Sequence, residues 1–170
     1  MTLAPEQYRA GDIVLCHSRG ILPWMIRFFQ RLRYRKGPMT FWSHAALLAA
    51  PDADLPGEWL VIEAETHGVQ HAWLSSLGEY VVVSPGMDDR GRDIAVAFAE
   101  RAVGSRYGFL TLASIAINLV LPVIWQVTRP GTFICSGLVA HSLEHGGYFF
   151  PVRWEADEVM PADLAFLFGS

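Results

Sequence analysis

Between Arg106 and Arg129 the chain runs for twenty-two residues without a charge, YGFLTLASIAINLVLPVIWQVT at 107–128. That length is about what a helix needs to span a bilayer, so the segment must be a span, an interfacial helix or part of a buried core. Asn118, Pro122, Gln126 and the small residues make it a poor span and an acceptable buried or interfacial helix. Its surroundings supply a core to pack against. The 170 residues are the size of one domain, 1–170, and at 52% hydrophobic and 18% charged they bury a sizeable interior. Gly and Pro are scattered rather than periodic, which excludes collagen-like and low-complexity chains.

The first half reads as short strands: GDIVLC at 11–16, WSHAALLA at 42–49, EWLVIEA at 58–64 and EYVVVSP at 79–85. Helical spacing of Ile21, Trp24, Met25, Phe28, Phe29 and Leu32 predicts a basic amphipathic helix over 20–34, and PDADLPG at 51–57 reads as a turn. The second half is helical. DDRGRDIAVAFAERAVG at 88–104 starts acidic and stops at a glycine, SGLVAHSLEHGG at 136–147 stops at two, and MPADLAFLF at 160–168 is an apolar closure. Strands followed by helices predict an α+β domain, an antiparallel sheet packed against helices. His67 and His71 fall in a turn-like THGVQH, solvated or lining a cleft, and His17 falls just past a strand end.

Charge is unevenly distributed. Residues 13–51 carry Arg19, Arg27, Arg31, Arg33, Arg35 and Lys36 without a single acid, whereas residues 52–170 carry six basic and fifteen acidic residues. The basic, aromatic stretch suits a solvated helix face or a membrane surface, and nucleic acid is not an expected partner. MTLAPEQYRAGDIV places acids and a proline where a secretory signal needs a basic start and an apolar core, so the expected location is cytoplasmic with membrane contact.

Two cysteines cannot build a disulfide framework or a four-thiolate metal site, so each is a core residue or a reactive thiol. Cys16 ends an apolar strand, where a thiol is ordinarily a small core residue. Cys135 stands between a β-rich TFI and a helical run, in the first turn of a helix. There the free N–H groups and the helix dipole favour a thiolate and a developing oxyanion. A nucleophilic thiol needs a base, and the base needs an orienting partner. Alternation puts Trp42, His44 and Ala46 on one strand face and groups Glu63 with Trp59 and Val61 on the next strand. If those strands pair, Glu63 can hold one imidazole nitrogen while the other faces Cys135. Glu65 takes that place only if the register slips.

GDIVL at 11–15, SHAALL with His44, VIEA with Glu63, GSRYG with Tyr107, FICSGLVAHSL with Cys135 and PADLA at 161–165 occur in this order. The set resembles the circularly permuted papain-fold cysteine hydrolases, the YiiX-like branch of the NlpC-type superfamily, which is similar to lecithin retinol acyltransferase. The resemblance implies a permuted papain-like fold with Cys135 as nucleophile, His44 as general base and Glu63 as the orienting residue. Tyr107 and Ser136 would lie at the oxyanion or substrate-binding site, and no cofactor or metal would be needed. Twenty-eight residues separate Tyr107 from Cys135, a longer insertion than in standard NlpC-type enzymes. The implied substrate is a small peptide or amino-acyl amide, with a lipid acyl group as the alternative.

A single span over 107–128 would put His44 and Glu63 on one side of a bilayer and Cys135 on the other, so a span and this triad exclude each other. Two further readings compete. HSLEH at 141–145 fits a zinc-peptidase pattern, although Gly146 and Gly147 end the helix at once and the helix dipole accounts for histidines in its last turn. A non-catalytic binding module could also keep the cleft without turnover.

Overall fold

The computed structural model describes residues 2–34, 37–120, 131–151 and 155–169. Its elements are β1 Ile13–His17, α1 Ile21–Tyr34, β2 His44–Pro51, β3 Trp59–Glu65, β4 Gly68–Trp73, β5 Glu79–Val83, α2 Asp89–Ala102, β6 Arg106–Tyr107, α3 Phe109–Val120, β7 Thr132–Phe133, α4 Cys135–His145 and α5 Pro161–Phe168. The architecture is α+β: a five-stranded antiparallel sheet in the order β4-β3-β2-β1-β5, with a separate parallel pair β6-β7. His17 is the last residue of β1, and its ring stacks on Phe41.

Two cores divide the sheet's faces. Ile13, Leu15, Ala45, Leu47, Ile62, Ala64 and Val83 meet Leu138, Val139 and Leu143 of α4 and Leu164 of α5 in the larger one. Val14, Cys16, Ala46, Leu48, Val61 and Val82 form the smaller one with Leu74, on the opposite face. The alternation expected from the sequence holds along both central strands. It does not extend to Trp42, which stands before β2 and packs against the larger core.

Of the THGVQH segment read as a turn, Thr66 and His67 form a two-residue hairpin turn as expected, whereas the rest, with His71, belongs to the edge strand β4 paired with β3. Gly68 makes this possible. Its φ is +122°, and a Cβ there would lie 2.4 Å from the Ser105 carbonyl oxygen. The close approach lets the Val69 N–H donate to Ser105 at 2.8 Å and the Gly104 N–H donate to Val69 at 2.9 Å. His71 is therefore on a strand, where its ring bonds Glu100 at 2.9 Å.

The uncharged segment forms α3 in its first half, and residues 121–130, with Pro122 and Gln126, lie outside the described residues. No helix among the described residues is long and apolar enough to cross a membrane.

α4 lies against β2 and β3 and is backed by α2. The two helices meet at Gly91 and Gly146, where a Cβ on Gly91 would come within 2.6 Å of the Gly146 carbonyl oxygen, and one on Gly146 within 2.4 Å of the Gly91 oxygen. The start of α2 is fixed by Arg92. Its guanidinium bonds buried Asp12 at 2.7 Å, Ser84 Oγ at 2.7 Å and the Ala10 carbonyl at 3.1 Å.

Gly91→Ala separates two opposing effects. Helix propensity alone favours alanine by about 1 kcal/mol, whereas overpacking a backbone contact costs about 1–3 kcal/mol. The contact outweighs propensity, so the variant should melt at a lower temperature than wild type. An unchanged or higher melting temperature in a calorimetric scan would show that α2 and α4 do not meet this way.

Candidate active site

His44 is the first residue of β2, where the sheet ends. Cys16 pairs with it across β1, and Ala46 pairs with Glu63 across β3, so His44 and Glu63 share the smaller core's face. A bulge between Leu48 and Ala50 shifts the register only at the far end of β2 and leaves the Ala46–Glu63 pairing intact. Glu63 and not Glu65 therefore receives the imidazole: His44 Nε2–H donates to Glu63 Oε2 at 2.6 Å. The second Glu63 oxygen accepts from Gln70 Nε2 at 3.2 Å. Gln70 pairs with Glu63 in the β3–β4 ladder and is missing from the sequence reading, because β4 was taken for a turn. Its signal was the alternation of Val69 and His71 around it.

Cys135 is the first residue of α4 and is buried, as expected for a first-turn thiol. His44 lines the same cavity as this thiol while its Nε2 is held by Glu63. At the sheet's end, residues of either alternation reach the same gap: Ser43, His44, Ala64 and Glu65 line a cavity of ≈ 140 Å³ with Cys135 and Tyr107. Helix geometry leaves the N–H groups of Cys135, Ser136 and Gly137 without intrahelical acceptors. A negative atom placed over the turn would meet those donors.

The Tyr107 ring reaches this gap despite its distance in sequence, because β6 pairs with β7 in parallel and sets Tyr107 beside Phe133. Burial, then the nearby Cys135 and Glu65 charges, push its phenol up, so it stays a neutral hydrogen-bond donor. The Ser136 hydroxyl is turned away. It donates to the Val159 carbonyl at 2.6 Å, which leaves the backbone N–H as this residue's contribution at the cavity. Cys16 is fully buried beside the site. Burial, then the charges of Glu63, Cys135 and Glu65, push its thiol well up, which suits the core role expected of it.

Two opposing effects fix the charge of His44. Burial acts to strip its proton, while hydrogen bonds to Cys135 and Glu63 and the negative charge of both act to keep it. The second set prevails and raises the imidazole from 6.5 to about 10. For Glu63, burial acts to protonate the carboxylate, but the His44 bond and charge, and then Gln70, hold it below its ordinary value.

The donor atoms of His44, Glu63 and Glu65 lie within 4.8 Å of one another, a set that a metal ion could use. The 2.6 Å contact between His44 and Glu63 is a hydrogen bond. Two ligands of a tetrahedral zinc would stand roughly 3.3 Å apart. In HSLEH the two histidines are spent on different partners. His141 bonds Asp157 at 2.8 Å, whereas His145 donates to the His141 carbonyl at 2.8 Å and stacks on Phe98.

No protein-family model matches the sequence, and no curated protein matches it significantly.

The coupled pair predicts a pH profile of stability. His44, raised, contributes fully below about 6.5 and loses its contribution as pH rises through about 10. Glu63, depressed, contributes fully above its ordinary value of 4.5 and loses its contribution as pH falls through its lowered pKa. Wild type should lose melting temperature from pH 7 to 10, and His44→Gln should flatten that slope. Parallel slopes in the two proteins would mean that His44 does not hold its proton in the fold.

Proposed function

We propose that this protein is a cysteine hydrolase with a permuted papain-like arrangement, cleaving an amide through a thioester on Cys135. The observation that carries this reading is a buried His44, held by Glu63 at 2.6 Å, that shares a cavity with a thiol at the start of a helix, where Cys135 and Glu63 together favour the charged imidazole. The order along the chain, with the histidine strand before the nucleophile helix, supports the permuted form. A bare binding module has no use for a charged imidazole in this position, where burial opposes the charge.

Glu63 occupies Nε2 and so leaves Nδ1 for the thiol. The Cys135 thiolate adds to the substrate carbonyl, and the N–H groups of the α4 first turn, with the Tyr107 hydroxyl, receive the negative oxygen. Collapse of the adduct breaks the C–N bond. His44 passes its proton to the departing amine and becomes neutral. It then takes a proton from water as the water oxygen adds to the thioester. Release of the carboxylic acid leaves the thiolate and the imidazolium as they began. Gln70 is a positioning residue, acting through Glu63.

A lipid acyl hydrolase or acyltransferase is the second reading, favoured by one feature. An apolar groove of ≈ 180 Å³ between α1 and α3, lined by Met25, Phe29, Phe109 and Leu112, shares Leu22 and Ile26 with the Cys135 cavity.

Iodoacetamide labelling read by peptide mass spectrometry tests the shared chemistry, with Cys16 as internal control. Cys135 should label at pH 6 much faster than Cys16, and His44→Ala should slow it roughly tenfold or more. Equal rates at the two thiols, or no effect of His44→Ala, would remove the nucleophile. With an amide or acyl-ester substrate in hand, Glu63→Gln should lower kcat by roughly 10²–10⁴ and leave KM nearly unchanged.

A further inference from the structure

α1 has apolar side chains on both faces, and one apolar stripe is left outside. Its exposed stripe is Ile21, Trp24, Met25, Phe28 and Leu32, with Ile21 82% and Trp24 57% accessible. These residues recur at helical spacing on one face. The opposite face meets the body through Leu22, Ile26 and Phe29, which are buried or packed on the larger core, and through polar groups set among them. Gln30, 0% exposed, donates to the Trp42 carbonyl at 2.7 Å and accepts from the Ala162 N–H at 2.9 Å. Arg27 donates to the Ser18 carbonyl at 2.7 Å and to Ser43 Oγ at 3.0 Å, and the Tyr34 hydroxyl donates to Asp163. The orientation is therefore held by these hydrogen bonds together with the packing of Leu22, Ile26 and Phe29, and the remaining apolar stripe faces outward. Exposed Phe109 and Leu110 of α3, which packs on α1, extend the apolar surface.

We propose that this α1–α3 face docks on an anionic lipid surface. Charge complementarity selects that occupant. Arg31 borders the stripe one turn after Phe28 and Arg19 precedes the helix, both exposed, whereas Arg33 pairs with Asp163 at 3.7 Å. Residues 13–51 hold six cations and no acid in a chain of net charge −4, so the sequence around this helix is locally basic. A second copy seated through the same stripe would set these arginines against their own equivalents. Anionic headgroups would neutralise them, while the aromatic stripe enters the boundary of the acyl chains. Leu22, Pro23 and Ile26 of the same helix line the Cys135 cavity. Docking therefore brings the cavity to the lipid interface, a consequence that rests on the reading of Cys135 as nucleophile.

Vesicle flotation tests the docking, using phosphatidylcholine alone and phosphatidylcholine mixed with phosphatidylglycerol, at low and high salt. Wild type should float with the mixed vesicles, float poorly with phosphatidylcholine alone, and be released by salt. Trp24→Ser/Phe28→Ser should weaken binding roughly tenfold or more, and Arg31→Gln about fivefold. Both variants should keep wild-type iodoacetamide labelling at Cys135, which shows that the fold is intact. Cys135→Ala should float like wild type, which separates docking from catalysis. Failure of wild type to float while its His44-dependent labelling persists would overturn the docking and leave the hydrolase reading standing. Docking would equally be overturned by undiminished flotation of both surface variants, or by sedimentation equilibrium showing a wild-type dimer that Trp24→Ser/Phe28→Ser dissociates.

Discussion

A charged imidazole in a buried position exists only if its neighbours make the charge cheaper to keep than to lose, and His44 has two such neighbours. Glu63 and Cys135 approach it from separate elements. The carboxylate is delivered by the β2–β3 register and the thiol by the start of α4, so sheet pairing and helix placement must both be correct for the charge to persist. Much of the remaining architecture serves that requirement. The glycine contact of α2 with α4 sets how closely α4 can be backed, and the β4 edge holds Gln70 against the second oxygen of Glu63. Removing either partner would leave a buried ion less well compensated, a larger penalty than the loss of one ordinary hydrogen bond.

The parts of this site that the sequence discloses are those set by local pattern. Cys135 at a helix start follows from TFI preceding an apolar helical run, and Glu63 follows from alternation once β2 and β3 pair. Glu63 and Glu65 share one face of β3, so exchanging them takes a two-residue slip that alternation does not forbid, and it is the observed pairing of Ala46 with Glu63 that selects Glu63. β4 was illegible for a physical reason: a strand begun by a glycine at positive φ, after Thr66 and His67, has the composition of a turn. Its strand character comes from the hairpin pairing with β3 and from contacts with residues 104–105, which are distant in the chain. Tyr107 needs a parallel pair between two-residue strands, too short to leave any periodic trace. Ser136 shows the limit of motif reasoning, since its neighbour's role does not tell where its own hydroxyl points.

α1 is the clearest case of a pattern that is legible while its orientation is not. Spacing of Ile21, Trp24, Met25, Phe28, Phe29 and Leu32 predicts an amphipathic helix, and such a helix forms, with Phe29 packed on the larger core and the other five exposed. An amphipathic period states that two faces differ, not which one meets the protein. The usual preference buries the apolar face, because that removes apolar surface from water. Here the preference is overridden by a set of donors and acceptors that would otherwise be stranded: the carbonyls of Ser18 and Trp42 and the Ala162 N–H all find their partners on the polar side of α1.

Those partners explain why the inversion and the catalytic geometry belong together. Ser43 and Trp42 immediately precede His44, and Arg27 and Gln30 bond them directly, at Ser43 Oγ and the Trp42 carbonyl. The polar face of α1 thus fixes the backbone that enters β2 and, through it, the position from which the imidazole reaches Cys135. A helix turned to bury its apolar stripe would release that entry and leave Gln30, wholly enclosed, without its two partners. The chain therefore cannot satisfy both faces of α1 from within itself. Holding His44 in place leaves an apolar, arginine-flanked stripe on the outside, and the same helix that fixes the backbone before His44 also lines the cavity.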